Sequence, residues 1–365
     1  MAIELSNLTF TEQADIVPAF GVEEIVNTGI ANTLGGDDIL NGDNGNIDNT
    51  SIPFKPSGIS NTSTLNTDGG NDILTGISKN LSYDWAESYG IYNQGTINTS
   101  YGDDIITGIN QKNVSFYSAG IFHQGIIDTS DGDDIITGIN EKNEPGSSAG
   151  IYQQLQGTVL NTGNGNDIIT GINNSIQGQG IRIAFGSVLN TGDDNDTITG
   201  NGYDTGISNL FATLKTGNGN DVIIGNSSST GIYSVGLIDT GDGNDIISGA
   251  GSSYGIFSNS IIETGNGEDS LIADGGFGGN GYVFLGNGKD YLKGFGSGNF
   301  NGGSGNALDT LELTSGSYTV GISGTKVNFM KGITIMETSD FELLIAGNTT
   351  YRILSLSEGQ TIFVA

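Results

Sequence analysis

Ten aspartates recur at one position of a repeated phrase. Each closes a glycine-rich turn two residues before an Ile or Leu, as in Thr162-Gly-Asn-Gly-Asn-Asp-Ile-Ile-Thr-Gly171. They are Asp38, Asp72, Asp104, Asp134, Asp167, Asp196, Asp221, Asp245, Asp269 and Asp290. An ionised carboxylate only accepts hydrogen bonds and is a ligand for hard cations. The spacing of these carboxylates falls from 34 residues to a regular 24, a period that predicts a solenoid built coil by coil. Equivalent residues of stacked parallel coils lie roughly 4.8 Å apart, so the ten carboxylates are expected to form a column. Two unit charges at that spacing repel by about 0.9 kcal/mol even at the dielectric of water. A positive partner is therefore expected. Lys and Arg together number 11 in the whole chain, whereas calcium takes six to eight carboxylate and carbonyl oxygens, and glycine turns expose carbonyls. Asp37, Asp103 and Asp133 add a second carboxylate in early coils where later coils carry Asn166, Asn195, Asn220 and Asn244.

Short strands must hold these turns. Thr33, Thr67, Thr99, Thr129, Thr162, Thr191, Thr216, Thr240 and Thr264 stand five residues before successive aspartates. From Leu65 to Ile262, an aliphatic residue stands two positions before each later threonine. Alternation of this kind sends the aliphatic residue and the threonine to one face of a strand, which predicts an inward threonine file. The second residue after each aspartate, from Leu40 to Leu292, is always aliphatic and is the expected core of a second strand. Gly-Ile pairs from Gly58-Ile59 to Gly255-Ile256 mark a third strand.

Composition agrees. With 62 Gly, 4 Pro and no Cys in 365 residues, the chain is unsuited to a helical globule and has neither disulfides nor thiolate metal sites. The formal charge of -30, from 41 acidic and 11 basic residues, repels a phosphate backbone and disfavours nucleic acid as a partner. No segment is apolar for 18 residues, and the start, Met1-Ala-Ile-Glu-Leu-Ser-Asn7, lacks the basic and apolar regions of a secretory signal, so no membrane span and no Sec-type export are expected.

The turns resemble the hemolysin-type, or RTX, calcium repeat, Gly-Gly-x-Gly-x-Asp-x-hydrophobic-x, over residues 33 to about 311. The resemblance implies that the carboxylates and loop carbonyls of stacked turns share calcium ions. It assigns the carboxylate role to the ten aspartates. The carbonyl role falls to turn glycines such as the fourth-position Gly36, Gly70, Gly102, Gly132, Gly165, Gly219, Gly243, Gly267 and Gly288, with Asp194 replacing one of them. Second-position glycines are Gly163, Gly192, Gly217, Gly241, Gly265 and Gly286. Two departures matter: threonine replaces the family's first glycine, and the motif comes once per coil of 24 or more residues. A wider, three-sided helix is therefore expected.

Other residues invite other chemistry. The longer early coils carry Tyr83, Trp85, Phe116 and Tyr117 with Lys79, Lys112 and Lys142, an aromatic set suited to sugars or aryl groups. His123 is the only histidine, so a His-dependent triad or zinc site is not expected. Arg182 and Lys215 stand out as basic residues on repeat strands. Calcium-dependent polysaccharide lyases of β-helical fold resemble this combination, which makes either residue a candidate base. A threonine array also suggests ice binding, which the inward direction of the threonines opposes. The outward Ile105, Ile135 and Ile168 are a candidate homodimer face.

The reading at this point is an all-β, right-handed parallel β-helix with residues 1–30 as an N-terminal cap, 31–300 as calcium-type repeats, and 301–365 as a C-terminal β cap and secretion signal. It implies calcium ions as cofactor, with carbohydrate or other cell-surface material as a further partner. The expected role is a secreted or surface structural and binding protein, exported by a type I-like route through the apolar ending Thr361-Ile-Phe-Val-Ala365, or otherwise cytoplasmic. The alternatives are a β-helical enzyme acting on polysaccharide or a small aromatic substrate, and an ice-binding protein.

Overall fold

The computed structural model describes residues 2–18, 22–45, 57–79, 87–111, 117–141, 147–305 and 307–365. They fold as an all-β, three-sided parallel β-helix. Among the described residues the first sheet has 11 strands, the second 14 and the third 15. One coil shows the plan: Ile126–Asp128 lies in the third sheet, Ile135–Asn140 in the second and Ser147–Gln153 in the first. The aspartate turn joins the third sheet to the second.

The repeat stacks like on like. Ile105, Ile106, Thr107 and Gly108 pair with Ile135, Ile136, Thr137 and Gly138, and these with Ile168, Ile169, Thr170 and Gly171. The core consists of three aliphatic files. Leu65, Ile97, Ile127 and Leu160 come from the third sheet, Leu74, Ile106, Ile136 and Ile169 from the second, and Ile59, Ile91, Ile121 and Ile151 from the first; all are at 0% exposure. Fully burying one such side chain is worth about 1.5–3 kcal/mol, so the summed files dominate stability. The nine threonines are buried as well, so they present no face to water. Outward Ile105 and Ile135 are half-buried and Ile168 is exposed.

Glycine is required where the second sheet turns into the first. The space inside that corner is filled by backbone: a Cβ on Gly138 would lie 2.3 Å from the carbonyl oxygen of Gly150 and 2.6 Å from Ile151 Cγ1. The recurring Gly-Ile pairs thus mark close approach of two strands, not conformational freedom.

Both ends of the chain are built into the sheets. Ala2–Glu4 pairs in parallel with Glu24–Val26 and Ile16–Val17 with Ile39–Leu40, so residues 1–30 already contribute strands to the stack. At the other end, Gly316–Ser323, Lys326–Lys331, Thr334–Ser339 and Thr361–Val364 join the third sheet with antiparallel pairings among them. In the apolar ending, Ile362 and Val364 are buried and Phe363 is exposed.

Gly138→Ala tests the close-approach account. The added methyl must push backbone apart, an overpacking cost of about 3 kcal/mol. Gly324→Ala, at φ +65 with open space around it, is expected to lose only about 1–2 kcal/mol. Urea unfolding of the two variants checks this, and equal losses would contradict it.

Candidate metal centre

The ten aspartates form one continuous buried file, each at 0 or 1% exposure. Their spacing is set by a bond absent from the sequence reasoning. The backbone N–H of each aspartate donates to Oδ1 of the aspartate one coil further on: Asp72 to Asp104, Asp104 to Asp134, and Asp134 to Asp167, each at 2.8 Å. The chain of bonds starts at the Asp15 N–H, which donates to Asp38 Oδ1 at 2.7 Å. It ends beyond Asp290, whose N–H donates to Asp309 Oδ1 at 2.9 Å, while the Asp309 N–H donates to Glu342 Oε2 at 2.8 Å. Asp309 and Glu342 thus extend the file, and the repeat-based reading missed both. The available signal was the shorter phrase, a carboxylate two residues before Leu311 or Leu344; irregular spacing of the preceding glycines hid it.

The second oxygen, Oδ2, has no hydrogen-bond partner among the described residues in any of the ten aspartates, although it is buried in all of them. The threonine hydroxyl five residues upstream eases this only in part: in the nine coils from Thr33 to Thr264 it lowers the pKa of its aspartate without offsetting burial. Thr33, Thr129, Thr162, Thr191, Thr216 and Thr264 also have a backbone carbonyl within reach of the hydroxyl proton, as from Thr162 to Thr191 O at 3.2 Å and from Thr216 to Thr240 O at 3.2 Å, whereas Thr67, Thr99 and Thr240 have no carbonyl partner among the described residues. Burial pushes the file aspartates up from the usual carboxylate range. Asp134 reaches about 8, Asp104, Asp196, Asp245, Asp269 and Asp290 about 7, and Asp72 and Asp167 about 6. Asp38 and Asp221 are raised by the same cause. For Asp134, the Thr129 hydroxyl and the Asp104 N–H partly offset burial, and the neighbouring carboxylates Asp167 and Asp104 add a smaller upward push. Desolvation, more than the charge repulsion expected from the spacing, is therefore what the file must overcome.

The glycine turns supply further oxygens. Among the described residues the carbonyls of Gly163, Gly192 and Gly217, and of the fourth-position Gly102, Gly132, Gly165, Gly219 and Gly243, accept no backbone hydrogen bond, whereas the later Gly265 and Gly286 carbonyls accept the Asn287 and Ser304 N–H. They point along the stack: a Cβ on Gly192 would lie 1.5 Å from Gly163 O, and one on Gly165 1.9 Å from Gly132 O. At the second position, early coils hold Asp68, Ser100 and Ser130 at φ +58, +65 and +64 where later coils hold glycine. At the fourth, Asp194 adopts φ +85 in place of glycine, a conformation that Asp tolerates.

Asp37, Asp103 and Asp133 belong to a different, outer ladder. There the hydrogen bonds run the opposite way: the Asn71 N–H donates to Asp37 Oδ1, the Asp133 N–H to Asp103 Oδ1, and the Asn166 N–H to Asp133 Oδ1. This ladder is exposed to solvent and accepts Asp, Asn or Glu268 interchangeably. Among the described residues, no three His, Asp or Glu side chains gather into a group that could hold a metal. An oxygen cage at these turns would have to combine file Oδ2 atoms with glycine carbonyls.

The remaining candidates take ordinary places. Tyr83, Trp85, Phe116, Lys112 and Lys142 lie outside the described residues; Tyr117 is exposed. Lys215 pairs with Asp239 at 2.9 Å, and the Arg182 guanidinium lies over the Tyr152 ring at 4.8 Å. His123 takes the place of asparagine in a buried ladder. Asn27 Nδ2 donates to Asn61 Oδ1 and Asn61 Nδ2 to Asn93 Oδ1. Next in line, Asn93 Nδ2 meets His123 Nδ1 at 3.1 Å and His123 Nε2 meets Val159 O at 2.7 Å. Burial lowers its pKa to about 4, which keeps it neutral. No described helix is long and apolar enough to cross a membrane. Comparison with protein-family models and with curated proteins found no match to this chain.

The raised carboxylates give the metal-free protein a definite pH response. A folded pKa above the ordinary value means that the folded state holds protons the unfolded chain has already lost. Stability in chelator is thus greatest below the unfolded value of 3.8 and is lost as pH rises towards about 8, the value for Asp134. Thermal unfolding in EDTA across this range checks the sign; a melting temperature that climbs with pH would contradict it.

Proposed function

We propose that the protein is a calcium-binding β-solenoid that serves as an extracellular or cell-surface structural and binding scaffold. The observation that carries this reading is the unbroken run of buried aspartates whose Oδ2 atoms have no hydrogen-bond partner among the described residues. Internal comparison of the two ladders supports it. The outer position holds Asp37, Asn71, Asp103, Asp133, Asn166, Asn195, Asn220, Asn244, Glu268 and Lys289, a mixture, while the adjacent inner position is a carboxylate in every coil. An asparagine inside could still accept the backbone N–H through Oδ1 but would turn a second donor towards the place of Oδ2. The inner position therefore demands an acceptor, and an acceptor without a donor calls for a cation or a proton.

The donor set is all oxygen, which suits a hard cation and calcium above all. The residues that would hold it are the file aspartates through Oδ2, with carbonyls of turn glycines such as Gly132, Gly163, Gly165 and Gly192. Bound calcium would supply the positive charge that lets the buried carboxylates stay ionised near neutral pH. The chain's own groups do the positioning: the file N–H donors fix each Oδ1, and the glycines keep the turns narrow. Resemblance to the hemolysin-type repeat points the same way, and export through a C-terminal signal belongs to the same proposal. Neither Arg182 nor Lys215 stands in an arrangement that favours the enzymatic alternative.

Calcium titration of EDTA-treated protein at pH 8, followed by bound-metal analysis and thermal unfolding, tests the reading. Saturable binding of several ions and a large rise in melting temperature are expected. Asp167→Asn should bind fewer ions than the parent while losing less stability in EDTA, because it removes a buried charge and keeps the Oδ1 acceptor. Calcium-independent stability at pH 8, or unchanged stoichiometry in Asp167→Asn, would overturn the proposal.

A further inference from the structure

A second site lies on the outward face of the first sheet, away from the aspartate turns. Strict alternation would turn Tyr89 inward with Ile91, but alternation breaks at Gly90, where an added Cβ would itself point into the corner, 2.1 Å from Ile109 N. Tyr89 therefore joins Tyr92, Phe122 and Tyr152 in an aromatic cluster separate from the core. Tyr89 and Phe122 have ring centroids 4.6 Å apart, and the Phe122 and Tyr152 rings meet at 83°. Beside them is a cavity of about 290 Å³ with Tyr117, Phe122 and Tyr152 among its walls and with Glu87, Ser118, Gln124 and Gln154 as polar groups. The coils that form it are longer than the 24-residue repeat.

We propose that this cavity binds one ring of a neutral saccharide. A sugar ring has apolar C–H faces and hydroxyl edges that both donate and accept. The cavity answers each feature: aromatic walls for the faces, amides with donors and acceptors at Gln124 and Gln154, and the acceptor Glu87, already held by the Tyr89 hydroxyl at 2.9 Å. The two glutamines belong to a side-chain row in which Gln94 Nε2 donates to Gln124 Oε1 at 2.9 Å, which fixes the amide orientation at the rim. The volume sits at the low end of ligand pockets and suits a single ring. An anionic sugar would face Glu87 and a chain of net charge -30. An organic ammonium would make no use of the glutamine donors, and a plain aryl group would make no use of Glu87, Ser118 or the two glutamines. The site does not depend on the calcium reading.

The full chain, labelled and kept in calcium buffer, can be screened on an array of neutral glycans, with the best binder then measured by titration calorimetry. One site per chain is expected. Tyr117→Ala and Gln124→Ala, both at partly exposed positions, are each expected to weaken it about tenfold with an unchanged melting temperature. Choline chloride and polygalacturonate serve as comparators and are expected not to bind. The proposal is overturned if no neutral glycan binds, if both variants keep affinity within about twofold, or if choline binds instead.

Discussion

Everything in this molecule follows from stacking identical residues in register. Parallel pairing sets each residue on its own kind, which is harmless for isoleucine and costly for aspartate. The chain meets the cost halfway. Each buried carboxylate receives one backbone N–H through Oδ1, which spaces the coils and ties each turn to the next. Its other oxygen has no hydrogen-bond partner among the described residues. Burial makes that half-satisfied state unfavourable for the ion, as the raised pKa values record. On the proposal made above, calcium resolves the conflict, and the acidic file becomes a spine whose strength depends on the surrounding medium.

Much of the architecture could be read before any coordinates, because a solenoid repeats its evidence. One alternating pattern is weak, but ten aligned copies placed the inward threonines, the aliphatic files and the three strands per coil correctly. What escaped the reading depends on relations between coils or across corners. The N–H to Oδ1 bond has no signature in composition. The opposite directions of the inner and outer ladders separate Asp133 from Asp134, neighbours that looked equivalent as ligands. Asp309 and Glu342 were hidden by changed turn lengths, and Tyr89 by a glycine that breaks alternation.

Glycine serves two purposes here. In the aspartate turns it combines positive φ with close stacking of carbonyls, and Asp194 and Ser130 show that the conformation alone does not demand it. In the corner between the second and first sheets the φ values are ordinary and the demand is purely spatial. The single histidine illustrates the same discipline. Held in an amide ladder and kept neutral by burial, His123 acts as a shaped substitute for asparagine and not as a chemical centre.

The most direct test of the central claim is anomalous diffraction from crystals grown with calcium, with the metal-free form as reference. The account predicts a row of calcium peaks against the Oδ2 atoms of the file from coil to coil, absent from the reference. A file with no peaks, in a protein equally ordered with and without calcium, would contradict it and leave the aspartates as protonated structural side chains.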